Sequence, residues 1–313
     1  MKIIDVHAHF LTKDYVDALT RFDRLTEDGF PIPHWDLSTH LELMEDCGIS
    51  HSVLSLSSPH PYFRDDKLTA DIVRGINEFA ADIVRRYPEK FSYAACLPLP
   101  NVEMAIAEAR WAFENGAIAV KIASQSEGLY LGDAALDPLM EYLDSRSAVI
   151  IIHPSRPQAF PTGCFTSGPH PLLEFLNDTT RAVINMIVNG TFARFPHIRV
   201  VVPHCGSFLP NVIDRLAGLT AFLASRGQGS AADISGALRS MYFDLSGAVY
   251  PRSAAILSTL AGPDRIMYGG DYPFTPVPAV KASVAALMSY GPYKEHIEDI
   301  CHTNAEKLFN FVA

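Results

Sequence analysis

Ile3-Ile4-Asp5-Val6-His7-Ala8-His9 decides between the two folds that the rest of the chain allows. It reads as a short β-rich run that passes directly into a pair of histidines. An open doubly wound sheet would place a Gly-rich strand-to-helix turn after its first strand, and His7-Ala8-His9 stands there instead. Working outward, seven further β-rich runs follow: Ser52 to Leu56, Phe91 to Leu97, Ala119 to Ile122, Val149 to Ile152, Arg199 to Val202, Met241 to Leu245 and Arg265 to Tyr268. Amphipathic stretches lie between them, among them Asp71 to Arg86, Val102 to Glu114, Asp137 to Ser145, Thr180 to Phe195 and Leu209 to Leu223, with a last helix near Thr303 to Phe311. Runs such as Val149-Ile150-Ile151-Ile152 are apolar without period-2 alternation, as strands covered on both faces must be. Eight of them, alternating with helices, predict an α/β fold, a distorted (β/α)8 TIM barrel.

The 313 residues exceed a typical domain, but barrels of this kind run to about 250 residues or more as one unit. No linker or internal repeat divides the sequence, so residues 1–313 are expected to form a single domain. With 48% apolar and 19% charged residues the chain can bury a large core, which excludes disordered and collagen-like classes. A net charge of −10 argues against nucleic acid as a partner. Five cysteines without a CxxC pair fit a reducing compartment, and no apolar stretch reaches the roughly 18 residues that span a bilayer. The expectation is a soluble, cytoplasmic protein without a membrane segment. Two loop insertions, Leu11 to Trp35 after strand one and Ser155 to Pro171 after strand five, are expected above the strand C-termini as pocket walls.

Chemistry-bearing residues fall where the strands end. His7 and His9 follow strand one, His153 ends strand five, His204 follows Val200-Val201-Val202-Pro203, and Asp271 follows Tyr268-Gly269-Gly270. Barrel closure brings such ends to one face. Residues i and i+2 on extended chain share a side, so His7 and His9 can aim at one ion while Ala8 turns away. A lone HxH pair is unspecific, but separate strand ends bearing three histidines and an aspartate have no packing explanation, because unpaired polar groups are costly to bury together. His7, His9, His153 and Asp271 are therefore read as ligands of a divalent metal, Zn²⁺ first, with Mn²⁺ or Fe²⁺ as alternatives.

These segments resemble the amidohydrolase superfamily, in its branch of metal-dependent decarboxylases typified by 2-amino-3-carboxymuconate-6-semialdehyde decarboxylase and the ortho-hydroxybenzoate decarboxylases. The resemblance rests on Ile4 to His9, Gly116 to Ile122, Val149 to Pro154, Phe195 to Gly206, Arg265 to Phe274 and Asn304-Ala305, and spans the chain. It implies a metal held by His7, His9, His153 and Asp271, with His204 beside it as a proton-handling residue. Some of these decarboxylases carry Glu in place of the first His; this chain keeps His7. Lys121 ends strand four, where other amidohydrolases place a carboxylated lysine between two metals; the decarboxylase branch lacks that role, so Lys121 is read as a core or supporting residue. The resemblance also implies a homodimer or a higher homo-oligomer.

The function expected is a cofactor-free, metal-dependent decarboxylation of a small aromatic or unsaturated carboxylic acid resembling a hydroxybenzoate or a muconate semialdehyde. The alternative is hydrolysis of a lactone, cyclic amide or ester by the same site. His204 is assigned as general base and Asp271 as a ligand that also shuttles a proton. A carboxylate substrate calls for a cation, with Arg64, Arg156, Arg181 and Arg215 as candidates. Phe10, Phe160, Phe165 and Phe274 are candidates for a ring-binding wall. Among the other histidines, His170 is singled out because its Pro/Gly-rich loop can dip into the pocket.

Overall fold

In the computed structural model, which describes residues 1–159 and 168–311, eight parallel strands follow one another in chain order around a single sheet. They are β1 (Ile3–His9), β2 (Ile49–Ser55), β3 (Phe91–Cys96), β4 (Ala119–Ala123), β5 (Val149–His153), β6 (Arg199–Val202), β7 (Met241–Asp244) and β8 (Ile266–Met267). The sheet closes on itself: Val6 N donates to Tyr268 O at 3.1 Å, His9 N donates to Tyr272 O at 2.8 Å, and Ala8 bridges Tyr272 in parallel. This is a (β/α)8 barrel, and both flanks of each strand are covered as the apolar runs require.

Two apolar clusters divide the strand residues by parity. Ile4, Val6, Val53, Ala94, Ala119, Val149, Ile151, Val201 and Met267 pack together inside the barrel, with Leu308 and Phe309 of the last helix closing its base. Val120, Ile122, Ile150, Ile152, Val200 and Val202 belong to the layer between strands and helices. Because side chains repeat every two residues along a strand, Lys121 continues the interior column of Ala119, and His153 that of Val149 and Ile151. Strand β1 breaks this rule. Its register against β2 slips between Asp5 and Ala8, so that the interior set changes from Ile4 and Val6 to His7 and His9. Such a bulge re-aims side chains. It also sends Ala8 and Phe10 into the outer layer.

The first four helices each start on a side-chain cap. Thr12, Asp36, Asp65 and Asn101 accept from the backbone N–H three residues on, opening Lys13–Arg21, Leu37–Cys47, Asp66–Arg86 and Val102–Glu114. The first of these lies within the Leu11 to Trp35 insertion. Residues 160–167 of the second insertion lie outside the described residues, and Phe160 and Phe165 with them. The expected Thr180 to Phe195 helix starts earlier and breaks at Asn189-Gly190, giving Glu174–Val188 and the short turn Thr191–Arg194. The eighth strand is the shortest because Tyr268 N turns away to Ile300 O, 3.0 Å, and Gly269-Gly270 follow. A Cβ at Gly269 would stand 2.9 Å from His7 Cβ and 3.2 Å from Asp244 Cβ; only a glycine lets the end of β8 pass this close to β1 and β7. No helix among the described residues is long and apolar enough to cross a membrane.

Candidate metal centre at the C-terminal end of the barrel

His7, His9 and His153 are buried together at the top of the barrel interior. One donor atom from each lies within 4.8 Å of the others, and the same holds for His7, His204 and Asp271. Asp271 Oδ1 is 3.1 Å from His9 Nε2 and 3.5 Å from His7 Nε2, while Oδ2 is 3.8 Å from His204 Nε2. Strand ends far apart in sequence thus meet at one place.

The outer nitrogens of the three buried rings set their tautomers. His7 Nδ1 donates to Asp244 Oδ2 at 2.8 Å, His9 Nδ1 to the Ser55 carbonyl at 3.1 Å, and His153 Nδ1 to the Pro154 carbonyl at 2.9 Å. Each acceptor keeps the proton on Nδ1, so each Nε2 presents a lone pair inward. His7 Nε2 and His9 Nε2 face each other at 3.1 Å. Two bare lone pairs at that distance repel, and a positive charge between them removes the conflict. A proton supplies it in one way: burial opposes the charged ring, but the Asp244 carboxylate, with Asp271 and Asp5, more than offsets this and pushes His7 up to about 9. A divalent ion supplies it in another, and three imidazole nitrogens with a carboxylate oxygen fit such an ion.

The remaining ionisable groups are tuned to match. Burial lowers His9, with the charge of His7 acting in the same direction, and burial with the neighbouring cationic groups holds His153 well below the usual histidine range. Burial alone would raise Asp271, yet His204 and His9 beside it hold its carboxyl well below the usual range. Asp244 is likewise lowered, because His7 outweighs its burial. His204 differs from the other rings. It opens a run of four left-handed residues, His204 (φ 53°), Cys205 (59°), Gly206 (75°) and Ser207 (55°), and its buried Nδ1 has no partner among the described residues. Asp271 is also left-handed, at φ 59°. Strained backbone of this kind concentrates at functional sites.

Of the residues behind this cluster, sequence reasoning named Lys121 as a core or supporting residue and missed Asp244, Ser57 and the role of Asp5. Asp244 Oδ2 holds the His7 ring, while Oδ1 accepts from His204 N at 3.0 Å, Ser246 N at 3.1 Å and Ser246 Oγ at 2.6 Å. One fully buried carboxylate therefore fixes both a strand-one imidazole and the backbone of His204. Its signal was legible: a carboxylate closes the apolar run Met241-Tyr242-Phe243, in the same position that His153 has on β5. Ser57 Oγ lies 3.3 Å from His153 Nε2, and Lys121, buried in the interior column, donates to the Ser57 carbonyl at 3.2 Å. Asp5 accepts from His7 N and Gly270 N at 3.0 and 2.9 Å, pinning β1 to the end of β8.

A cavity of about 630 Å³ opens on the cluster, with His153, His204 and Asp271 in its lining. Phe274 lines it as expected and meets the His9 ring edge-on, with centroids 5.6 Å apart. Both insertions contribute, through Phe30 from the first and Pro171 from the second, with Leu172 just after it. Other expectations need correction. Phe10 is buried in the outer layer against Trp35 and Phe79, because successive residues on a strand point to opposite faces and His9 faces the interior. His170 does not line the cavity; its backbone N–H bonds to Asp28 O at 2.9 Å while the next two residues reach the wall. Arg156 lines a separate cavity of about 640 Å³, together with Arg24 and Arg64. Arg181 bonds Asp178 at 3.4 Å, and Arg215 is exposed on the helix after β6.

A family model described as amidohydrolase matches residues 4–311. The decarboxylase yanB of Aspergillus niger is 30% identical over 99% of this chain and 88% of its own length. The 6-methylsalicylic acid decarboxylase of Penicillium expansum is 28% identical over 99% of this chain and 96% of its own. A solved amidohydrolase II superposes with a TM-score of 0.94 at 35% identity, covering 99% of this chain and 100% of that one. A dihydroxybenzoic acid decarboxylase of Polaromonas, solved with manganese and 2-nitroresorcinol, shares the fold at 21% identity, with a TM-score of 0.84 over 99% of this chain and 97% of that one.

Proposed function

The chain belongs to the amidohydrolase family and is a carboxy-lyase of it, and from that premise we propose that it releases CO2 from a small aromatic acid bearing a hydroxyl beside the carboxylate. We propose further that His7, His9, His153 and Asp271 hold one divalent cation. The observation that carries this is the set of three Nδ1–H groups committed outward, which leaves three Nε2 lone pairs converging on one point beside a carboxylate. Zinc remains the first expectation from the donor set; the manganese bound by the Polaromonas enzyme favours that ion as the second.

When bound, the cation supplies Lewis acidity toward substrate oxygens. The chain's own residues supply the proton. Breaking the bond between ring and carboxylate leaves its electron pair on the ring carbon, which must take up a proton, so the net reaction consumes one. His204 Nε2 and Asp271 Oδ2, 3.8 Å apart and both lining the cavity, form a path from solvent to that carbon. His204 Nδ1 has no partner among the described residues, so the fold does not tie its ring to one tautomer. Asp271, held ionised, receives the proton and delivers it. Phe274, Phe175 and Phe30 give a flat ring apolar cover and keep water from the developing carbanion.

The names of the relatives support decarboxylation over hydrolysis of a lactone, cyclic amide or ester. The test is metal analysis of the purified protein followed by CO2 release from a panel of hydroxybenzoates. Turnover that is lost on chelation and restored by Zn²⁺ or Mn²⁺ is the expected result; full CO2 release from chelated protein, or ring opening of a lactone in its place, overturns the reading.

A further inference from the structure

What the cavity lacks bears on what else the substrate can carry. Apart from the donor cluster, its wall is built from Phe30, Phe175, Phe208, Phe274, Leu176 and Val249. Leu172 and Ile256 stand at its rim, 61% and 39% exposed. The other polar lining residues outside the cluster are serines and Asn211, all uncharged, apart from the buried thiol of Cys205. Neither Lys nor Arg lines it among the described residues, and the sequence of 160–167, Phe-Pro-Thr-Gly-Cys-Phe-Thr-Ser, contains neither. The arginines of this face are elsewhere: Arg24, Arg64 and Arg156 line the second cavity, which shares no lining residue with the first.

A carboxylate moved from water into such a wall loses its hydration and gains no cation. The reacting carboxylate escapes this penalty because the donor cluster receives it. A second carboxylate on the same ring would face aromatic and aliphatic side chains. We infer that this cavity selects acids with a single carboxylate, the one that is lost, and rejects those that carry a second. The inference rests on the decarboxylase reading, and it separates the two substrate types left open by the sequence: hydroxybenzoates carry one carboxylate, and carboxymuconate semialdehydes carry two. Ile256, at the rim on the helix Arg252–Leu257, becomes a residue that sets this preference.

The test measures binding by calorimetry to the manganese-loaded protein, using 2-hydroxybenzoate and 4-hydroxyisophthalate, the same ring with one carboxylate more. The diacid is expected to bind at least ~100-fold more weakly, the scale set by an unpaired buried charge. Ile256→Arg should narrow that gap by about tenfold or more by supplying the missing partner, whereas the neutral Ile256→Gln should leave it in place. Equal binding of the two acids by the unaltered protein overturns the inference. Because the binding heat and CO2 release are recorded separately, a protein that releases no CO2 from either acid but keeps the gap loses the decarboxylase reading alone. CO2 release from both acids at equal kcat/KM sinks the selectivity and leaves that reading standing.

Discussion

Of the four imidazoles at the top of the barrel, three sit in extended strand and have their outer nitrogens committed, to Asp244, Ser55 and Pro154; the fourth, His204, sits in left-handed backbone after β6 with its outer nitrogen unpartnered. The two regions face the same cavity mouth and carry the same side chain. Their difference matches the roles proposed for them, ligands for the three and proton carrier for the fourth. A ligand needs one tautomer and a fixed direction, which strand geometry and a second-nitrogen acceptor provide. A proton carrier needs a ring that the fold does not tie to one tautomer. Asp244 joins the regions, since one of its oxygens orients the His7 ring and the other holds the backbone of His204.

The comparison can be broken most forcefully at His204. His204→Ala is expected to lower kcat by roughly 10²- to 10⁴-fold, the range of a lost general acid or base, while metal content stays at that of the parent protein. Loss of metal in that variant would place His204 among the ligands and erase the distinction. Next in size is Asp244→Asn. Its amide would offer N–H to His7 Nδ1 and drive the ring proton to Nε2, weakening metal binding by about 10- to 100-fold as measured by competition with a chelator. Unchanged affinity would mean that the Asp244 contact does not set the tautomer.

A third measurement sharpens the account of the pinned rings. His7 is pushed up to about 9, so its proton occupies the ligand lone pair below that pH and must leave when a metal enters. Apparent affinity should therefore fall as pH drops below about 9, by about tenfold per pH unit for one released proton. A flat profile from pH 9 to pH 7 contradicts the assignment of His7 as a ligand. The smallest effect is expected at Ser57, 3.3 Å from His153 Nε2. Ser57→Ala removes one long hydrogen bond and should lower thermal stability by no more than about 1 kcal/mol, read by calorimetry, with metal content retained.

The barrel was legible because doubly covered strands leave an unmistakable trace, a short apolar run without alternation. Val149 to Ile152 and Arg199 to Val202 show it, and the observed strands there end within one residue of the reading. His153 and the His7/His9 pair were legible for a related reason, since polar residues closing such runs have few packing roles. Phe10 was misplaced because it was chosen for standing next to His9, whereas neighbouring residues on a strand point to opposite faces and Phe10 follows Ala8 outward. Arg156 and His170 were misplaced because position after a strand end fixes neither loop direction nor which of two neighbouring cavities a long side chain enters. Asp244 was overlooked although its signal equals that of His153; strand seven was read for its fold alone.

One further consequence concerns the seam between the first and last strands. Asp271 N donates to the His7 carbonyl, and His9 N to that of Tyr272. The donors on β1 and their proposed carboxylate partner after β8 come from opposite ends of the strand order and meet only where that seam forms. The proposed chelating set therefore cannot exist in any part of the barrel alone, and an ion held there would tie closure of the barrel to its own binding.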